Sequence, residues 1–184
     1  MRITGGDMRG RNVHVPDLPG LRPTPSRVRE ALFSILGDIE GFRVLDLFAG
    51  SGIMALESLS RGAAVAVSVE QHRRAVQHLR HTCTQLGLDE RWQIVPLTVE
   101  RALAGLAGET FDLVFADPPY ARGFAEKLPA WLSMHRIDCR QLVIEESARV
   151  EPVWPAGWTC RRSRRYGDTT LHFLVSEALE RPDT

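Results

Sequence analysis

Short apolar runs alternate along this chain with stretches whose apolar residues recur at helical spacing, and the alternation becomes regular at Arg43. Arg43–Phe48, Val65–Val69, Gln93–Leu97, Phe111–Ala116 and Gln141–Glu145 are predicted to be buried strands. Between them lie predicted helices at Ser51–Arg61, Gln71–Leu86 and Val99–Leu106, then one with Phe124, Leu128, Trp131 and Leu132 inward. Gln71–Leu86 sets Ala75, Val76, Leu79, Cys83 and Leu86 on one face and stops at Gly87, which makes Cys83 a core residue. The tail adds two strands, about Trp158–Arg164 and Thr170–Val175. Tyr166-Gly167-Asp168-Thr169 between them reads as a hairpin turn, with RNA contact as its other reading. Alternating β and α with short connections predicts an α/β fold with a doubly wound, mostly parallel sheet of seven strands. In such sheets ligands bind outside the carboxyl ends of the strands, near the point where strand order reverses.

Residues 1–23 are rich in Gly, Arg and Pro, lack helical periodicity, and are expected to form a short arm or hairpin. A single domain, residues 24–184, is expected to follow. Its first helix is predicted to begin with Thr24 as N-cap and Pro25 in the first helical position. Val28, Ala31, Leu32, Ile35 and Leu36 form its apolar face and Gly37 its end, while Arg27, Arg29 and Glu30 point away toward solvent or substrate.

A length of 184 residues suits one domain with a substantial core. No segment approaches the roughly 18 uninterrupted apolar residues of a membrane helix, and the N-terminus has no signal-peptide core. Three cysteines, Cys83, Cys139 and Cys160, are odd in number and far apart, so neither a disulfide framework nor a metal site is expected. A cytoplasmic location follows as the expectation. The formal net charge is zero, but its distribution is uneven. Arg2, Arg9, Arg11, Arg22, Arg27 and Arg29 precede Glu30 against only Asp7 and Asp17, and Arg161, Arg162, Arg164 and Arg165 form a second cluster. Lys127 is the only lysine. Arginine's planar fork matches phosphate and stacks on bases, so both clusters suit RNA or DNA contact.

Two motifs carry chemistry, and both fall at predicted strand ends. Asp46-Leu47-Phe48-Ala49-Gly50-Ser51-Gly52 closes the first strand with a glycine turn that lets backbone approach a ligand. Gly50-Ser51-Gly52-Ile53-Met54-Ala55 also fits a dinucleotide pattern, with Glu70 placed to accept ribose hydroxyls. Asp46 favours S-adenosylmethionine over a dinucleotide: it can accept from an α-amino group, whereas a diphosphate would meet its negative charge. Asp117-Pro118-Pro119-Tyr120 closes the fourth strand. An exocyclic base amine is a poor nucleophile because its lone pair is delocalised. The Asp117 carboxylate and the Pro118 carbonyl can accept from that amine and localise the lone pair, while Tyr120 stacks on the base for roughly 1–3 kcal/mol.

These two motifs together resemble the class I S-adenosylmethionine-dependent amino-methyltransferases. More narrowly, Arg2-Ile3-x-Gly5-Gly6-x-x-Arg9-Gly10-Arg11, Leu21-Arg22-Pro23-Thr24-x-x-Arg27-Val28-Arg29-Glu30-Ala31-Leu32-Phe33 and Leu56-Glu57-Ser58-Leu59-Ser60-Arg61-Gly62-Ala63 look like the RsmD type, across essentially residues 2–175. That family methylates a guanine N2 in 16S ribosomal RNA of the small subunit. The resemblance implies a Rossmann-like methyltransferase fold, S-adenosylmethionine as cofactor, and 16S rRNA, in an assembled or partly assembled small subunit, as partner. It implies that Thr24 closes over the cofactor, that Asp46, Phe48, Gly50, Gly52, Glu70 and Asp117 contact it, and that Asp117, Pro118 and Tyr120 act on the base. Arg9, Arg11, Arg22 and Arg27, with Tyr120, are the expected substrate contacts. The sequence departs from the family at Leu97-Thr98-Val99-Glu100, which lacks the Asp or Asn that commonly meets the adenine amine, and at Ile53-Met54-Ala55, bulkier than usual. A DNA adenine- or cytosine-amino methyltransferase, and an RNA-binding assembly factor without activity, are the alternatives.

Overall fold

The computed structural model describes residues 1–15 and 24–178. Arg22 therefore lies outside the described residues, as does Leu21-Arg22-Pro23 of the sequence motif. The chain forms two compact units, Met1–Val99 and Glu100–Thr184.

The first unit contains α1 (Ser26–Leu36), β1 (Arg43–Leu47), α2 (Ile53–Ser60), β2 (Val65–Val69), α3 (Arg73–Leu86) and β3 (Trp92–Val95). Strand β2 pairs in parallel with both β1 and β3, with Leu45 opposite Val67 and Val67 opposite Gln93. Val44, Leu45 and Leu47 are all buried, the pattern of a parallel strand covered on both faces. Helix α3 is amphipathic as its periodicity predicts: Ala75, Val76, Leu79 and Cys83 are buried, and left-handed Gly87 returns its N–H to the Cys83 and Thr84 carbonyls. Helix α2 is different, because every residue from Ile53 to Ser60 is buried.

Full burial obliges the polar residues of α2 to find partners. Ser58 Oγ donates to the Met54 carbonyl (2.8 Å), and Ser60 Oγ donates to the Gly5 carbonyl (2.6 Å) while accepting the Met8 N–H (2.9 Å). Glu57 is wholly inaccessible, and its Oε1 accepts the Thr4 N–H and hydroxyl (2.8 Å each) and Arg29 Nε (3.1 Å). Arg61 Nε reaches its other oxygen at 3.4 Å. Arg29 in turn donates to the carbonyls of Thr24 (2.6 Å) and Arg2 (2.8 Å). The predicted outward face of α1 is thus corrected at Arg29, which is buried and committed to Glu57, while Arg27 and Glu30 are exposed.

The predicted N-terminal hairpin forms around an Arg2–Asn12 antiparallel bridge, and its apolar Ile3, Met8 and Val13 are buried. Its glycines answer to packing: a Cβ on Gly6, at φ 77°, would collide with the Ser60 carbonyl. Helix starts also shift. Pro25, not Thr24, precedes α1 and makes no side-chain cap; its carbonyl accepts the Val28 and Arg29 N–H groups. Helices α2 and α3 each begin two residues later than predicted, because Gly52 is left-handed and His72 is extended. Strand β3 stops at Val95 instead of Leu97, ahead of Pro96, which has no N–H for the ladder.

The second unit takes in most of α4 (Val99–Gly105) and contains β4 (Thr110–Ala116), α5 (Phe124–Met134), β5 (Asp138–Ser147), β6 (Trp158–Tyr166) and β7 (Thr169–Ser176). Strands β4 and β5 pair in parallel, whereas β7 runs antiparallel to both β5 and β6. Tyr166 pairs with Thr169 across a two-residue turn whose Gly167 has φ 63°, so the turn segment is a hairpin turn, as read. In α5, Leu128 and Leu132 are buried, but Phe124 and Trp131 are only half-buried, stacked edge-on at 6.1 Å. The strands form a seven-stranded mixed sheet in the order β3-β2-β1-β4-β5-β7-β6.

Arg29→Ala should cost about 3–5 kcal/mol, because it strips Glu57 of a buried cationic partner. Urea unfolding measures it; a loss below about 1 kcal/mol would mean that water or Arg61 replaces the guanidinium. Arg29→Lys should not restore full stability, since one ammonium cannot reproduce the three-way fork.

Candidate active site

In the first unit the loop after β1 folds over the end of β2. The Ala49 N–H donates to the Val69 carbonyl (2.9 Å), the Gly52 N–H to the Ala49 carbonyl (2.7 Å) and the Gly50 N–H to Glu70 Oε2 (2.8 Å). Glu70 also accepts the His72 N–H through Oε1 (2.7 Å), so one half-buried carboxylate braces the glycine loop and the start of α3. Each oxygen retains a lone pair for a further donor. The loop is conformationally costly: Phe48 has φ 63°, in the left-handed region that non-glycine residues avoid. Gly50 and Gly52 share that region at φ 53° and 74°. At Gly52 a Cβ would lie 2.5 Å from Leu79 and 2.7 Å from Trp92, so close packing on α3 and β3 requires this glycine independently of any ligand.

Asp46 lies on β1 opposite Ser68, whose hydroxyl accepts the Trp92 Nε1–H at 2.9 Å. Its side chain is buried, and Oδ2 has no hydrogen-bond partner. Burial pushes its pKa up to about 8; the Ala55 N–H favours the anion and opposes the rise, and Glu70 adds to it. A buried, unpartnered carboxylate oxygen is unfavourable in itself. It becomes favourable when a cationic donor reaches it.

In the second unit Asp117-Pro118-Pro119-Tyr120 follows directly on β4, as predicted. Pro118 is buried, Asp117 half-buried, and Pro119 and Tyr120 exposed. The Tyr120 hydroxyl donates to Glu145 Oε1 at 2.9 Å and lies 3.0 Å from Thr169 Oγ1. Its tip is therefore anchored while the residue stays 40% exposed. Burial, with Glu145 and Asp117 nearby, raises the phenol above its ordinary range, which keeps it a donor. One residue on, the Ala121 N–H donates to Glu146 Oε1 (3.2 Å), holding the loop exit where Ala121 has φ 57°. Glu145 and Glu146 are both buried at the end of β5. These two carboxylates went unrecognised in the sequence, where Thr169 is read only as part of a hairpin turn or an RNA contact. The only signal was a pair of acids ending an apolar strand.

Arg9, Arg11 and Arg27 are exposed. Arg9 and Thr24 line a cavity of about 520 Å³ between the N-terminal hairpin and the start of α1, along with Arg2 and Ser26; Asp46, Phe48, Gly50 and Glu70 do not line it. Among the described residues no cluster of three His, Cys, Asp or Glu could hold a metal, and no helix is long and apolar enough to cross a membrane.

Strand order, the acid-and-glycine loop after β1, and an acid closing β2 define a class I methyltransferase fold. The family model described as conserved hypothetical protein 95 matches residues 1–175, and the chain belongs to that family, the RsmD-type methyltransferases. It is 37% identical to "Ribosomal RNA small subunit methyltransferase D" of Escherichia coli (strain K12), covering 97% of this chain and 91% of that one. It is 36% identical to "Putative rRNA methyltransferase YlbH" of Bacillus subtilis (strain 168), over 79% of this chain and 78% of that one. The solved structure "Putative methyltransferase yhhF from Escherichia coli" superposes with a TM-score of 0.83 at 36% identity, covering 96% of this chain and 98% of that one.

The folded state holds the Asp46 proton up to about pH 8, while the unfolded chain releases it near 3.8, so between these values the folded state binds more protons. The stability this group contributes is therefore fully present below the lower value and is lost as pH rises toward 8, by up to roughly 1.4 kcal/mol per pH unit. Asp46→Asn, which cannot titrate, should show a flatter profile in urea unfolding between pH 4 and pH 8. An unaltered slope would mean that Asp46 is already ionised in the fold.

Proposed function

We propose that this chain transfers a methyl group from S-adenosylmethionine to the exocyclic N2 amine of a guanine in small-subunit ribosomal RNA. The observation that carries this reading is the Asp117–Tyr120 loop at the end of β4, with the Tyr120 hydroxyl anchored by Glu145 and Thr169 and the residue left partly exposed. Membership of a family whose relatives bear ribosomal RNA methyltransferase names supports the substrate class.

The residues of the first unit fit the cofactor. The unpartnered Asp46 Oδ2 suits the α-ammonium of a methionine moiety, and Glu70, already fixed by two backbone N–H groups, suits ribose hydroxyls. In this reading Phe48, Gly50 and Gly52 shape the contact surface, and Thr24 and Asp117 complete it. S-adenosylmethionine supplies an electrophilic methyl on a sulfonium. Asp117 and the Pro118 carbonyl accept from the guanine amine and orient its lone pair for in-line attack. Transfer would break the sulfonium's S–CH3 bond, release the neutral thioether S-adenosylhomocysteine and leave an acidic methylated amine whose proton Asp117 would take, so no prior deprotonation is needed. Tyr120 stacks on the base, which must leave its helix or stack for the amine to be reached. Orientation and preorganised acceptors account for most of the rate.

The arm of residues 1–23 contacts substrate in this reading, through Arg9, Arg11 and Arg22, with Arg27 of the catalytic domain 24–184 beside it. The substrate is 16S rRNA within an assembled or partly assembled small subunit, in the cytoplasm, and no metal takes part.

The test is transfer from labelled S-adenosylmethionine to small subunits from a strain lacking this protein, followed by nucleoside mass spectrometry. One N2-methylguanosine per subunit is expected; transfer to DNA alone would overturn the substrate. Asp117→Ala should lower turnover by roughly 10²-fold or more, with a loss of cofactor affinity far smaller than that, since Asp117 is one of several cofactor contacts. Near-normal turnover would remove Asp117 from the mechanism.

A further inference from the structure

Strand β6 ends the sheet order, and it carries Arg161, Arg162, Arg164 and Arg165 with no acidic residue. All four arginines are exposed. Register separates them. Arg164 pairs with Leu171 of β7, which pairs with Glu145 of β5; Tyr166 pairs with Thr169, which pairs with Ser147. Arg162 pairs with Phe173, opposite Val143. Residues directly opposite in antiparallel strands project from the same face. Arg162, Arg164 and Tyr166 therefore share a face with Glu145 and Thr169, the two residues that hold the Tyr120 hydroxyl. Ser163 and Arg165 take the other face, where Ser163 Oγ meets His172 Nδ1 at 2.9 Å and Trp154 lies edge-on to that imidazole. Arg165 also turns its Nε to the Gly167 carbonyl (2.9 Å). Arg161 sits in the bulge between Cys160 and Arg162, where the alternation breaks.

Spacing fits a nucleic-acid strand. Alternate residues of a strand lie roughly 6.6 Å apart, comparable with neighbouring phosphates along one chain, and two strand spacings put Arg164 roughly 10 Å from Glu145. That is the reach of a nucleotide or two from the base that Tyr120 would stack on. Arginine forks bind phosphate bidentately, and Tyr166 offers a second aromatic ring between them and Tyr120.

We propose that Arg162 and Arg164, with Tyr166 beside them, form a track for the RNA backbone leading to Tyr120, in which the arginines hold phosphates of nucleotides adjoining the methylated one and Arg165 holds none. The proposal rests on the reading of this chain as an RNA methyltransferase. The competing explanation, that arginines on an edge strand merely discourage edge-to-edge pairing, draws no distinction between the two faces.

The experiment compares the full chain with R162Q/R164Q and with R165Q. It measures equilibrium binding of small-subunit rRNA across a salt series, and methyl-transfer kinetics on undermethylated subunits. In R162Q/R164Q the slope of log K against log salt should shrink by about 1.4, at roughly 0.7 per phosphate contact on single-stranded RNA. KM for subunits should rise about tenfold or more with kcat held within about twofold and cofactor affinity unchanged. R165Q should match the parent in every measurement. An unchanged slope in the double variant, or an equal loss in R165Q, overturns the track. If the parent binds RNA but transfers no methyl group, the proposed activity fails, and the salt slopes alone still decide for or against the track.

Discussion

A carboxylate with no access to water can exist in a folded protein only if its partners surround it, and Glu57 is such a group. Three segments of the first unit meet at it. Thr4 brings the hairpin, Arg29 brings α1, and Arg61, just past the end of α2, reaches the other carboxylate oxygen. Arg29 then extends the network to the carbonyls of Thr24 and Arg2. Gly5 and Gly6 allow the hairpin to lie against Arg61 and the Ser60 carbonyl, where any Cβ would collide. The motif that reads as a nucleic-acid arm is thus partly a clasp. Its arginines Arg9 and Arg11 remain exposed.

Carboxylates serve the two candidate loops in opposite ways. Glu145 and Glu146 are satisfied by the loop they support: one fixes the Tyr120 hydroxyl, the other the Ala121 N–H. Asp46 keeps an unpartnered oxygen in a buried position and is pushed toward its neutral form as a result. The first arrangement rigidifies an aromatic ring before any ligand arrives. The second leaves a buried acceptor open, which burial by itself disfavours.

Much of this was legible in the chain. Strand and helix identities followed from periodicity, because parallel strands covered on both faces are continuously apolar and α3 shows a clean 3.6-residue repeat. The Asp46–Gly52 and Asp117–Tyr120 loops were legible because their residue types are unusual and each follows an apolar run. Element boundaries were less so: Gly52 and His72 delay their helices through backbone conformation, which residue type only hints at. Arg29 was misplaced because helical spacing assigns it to the polar face, and nothing local announces a buried acid 28 residues later.

Taken alone, the sequence determined the order of strands and helices, the two chemically distinctive loops and the uneven distribution of arginine, since each depends on near neighbours in the chain. Tertiary structure alone decided which charges are structural and which are presented. Glu57 selects Arg29 because a desolvated carboxylate demands a partner at hydrogen-bond distance. Glu145 and Thr169 select Tyr120 because β5 and β7 pair in one register, Leu171 opposite Glu145 and Thr169 opposite Ser147. The same register divides the β6 arginines between two faces of the sheet, a division that sequence spacing would misjudge across the bulge at Arg161. Burial and register are properties of segments far apart in sequence, and no local pattern encodes them.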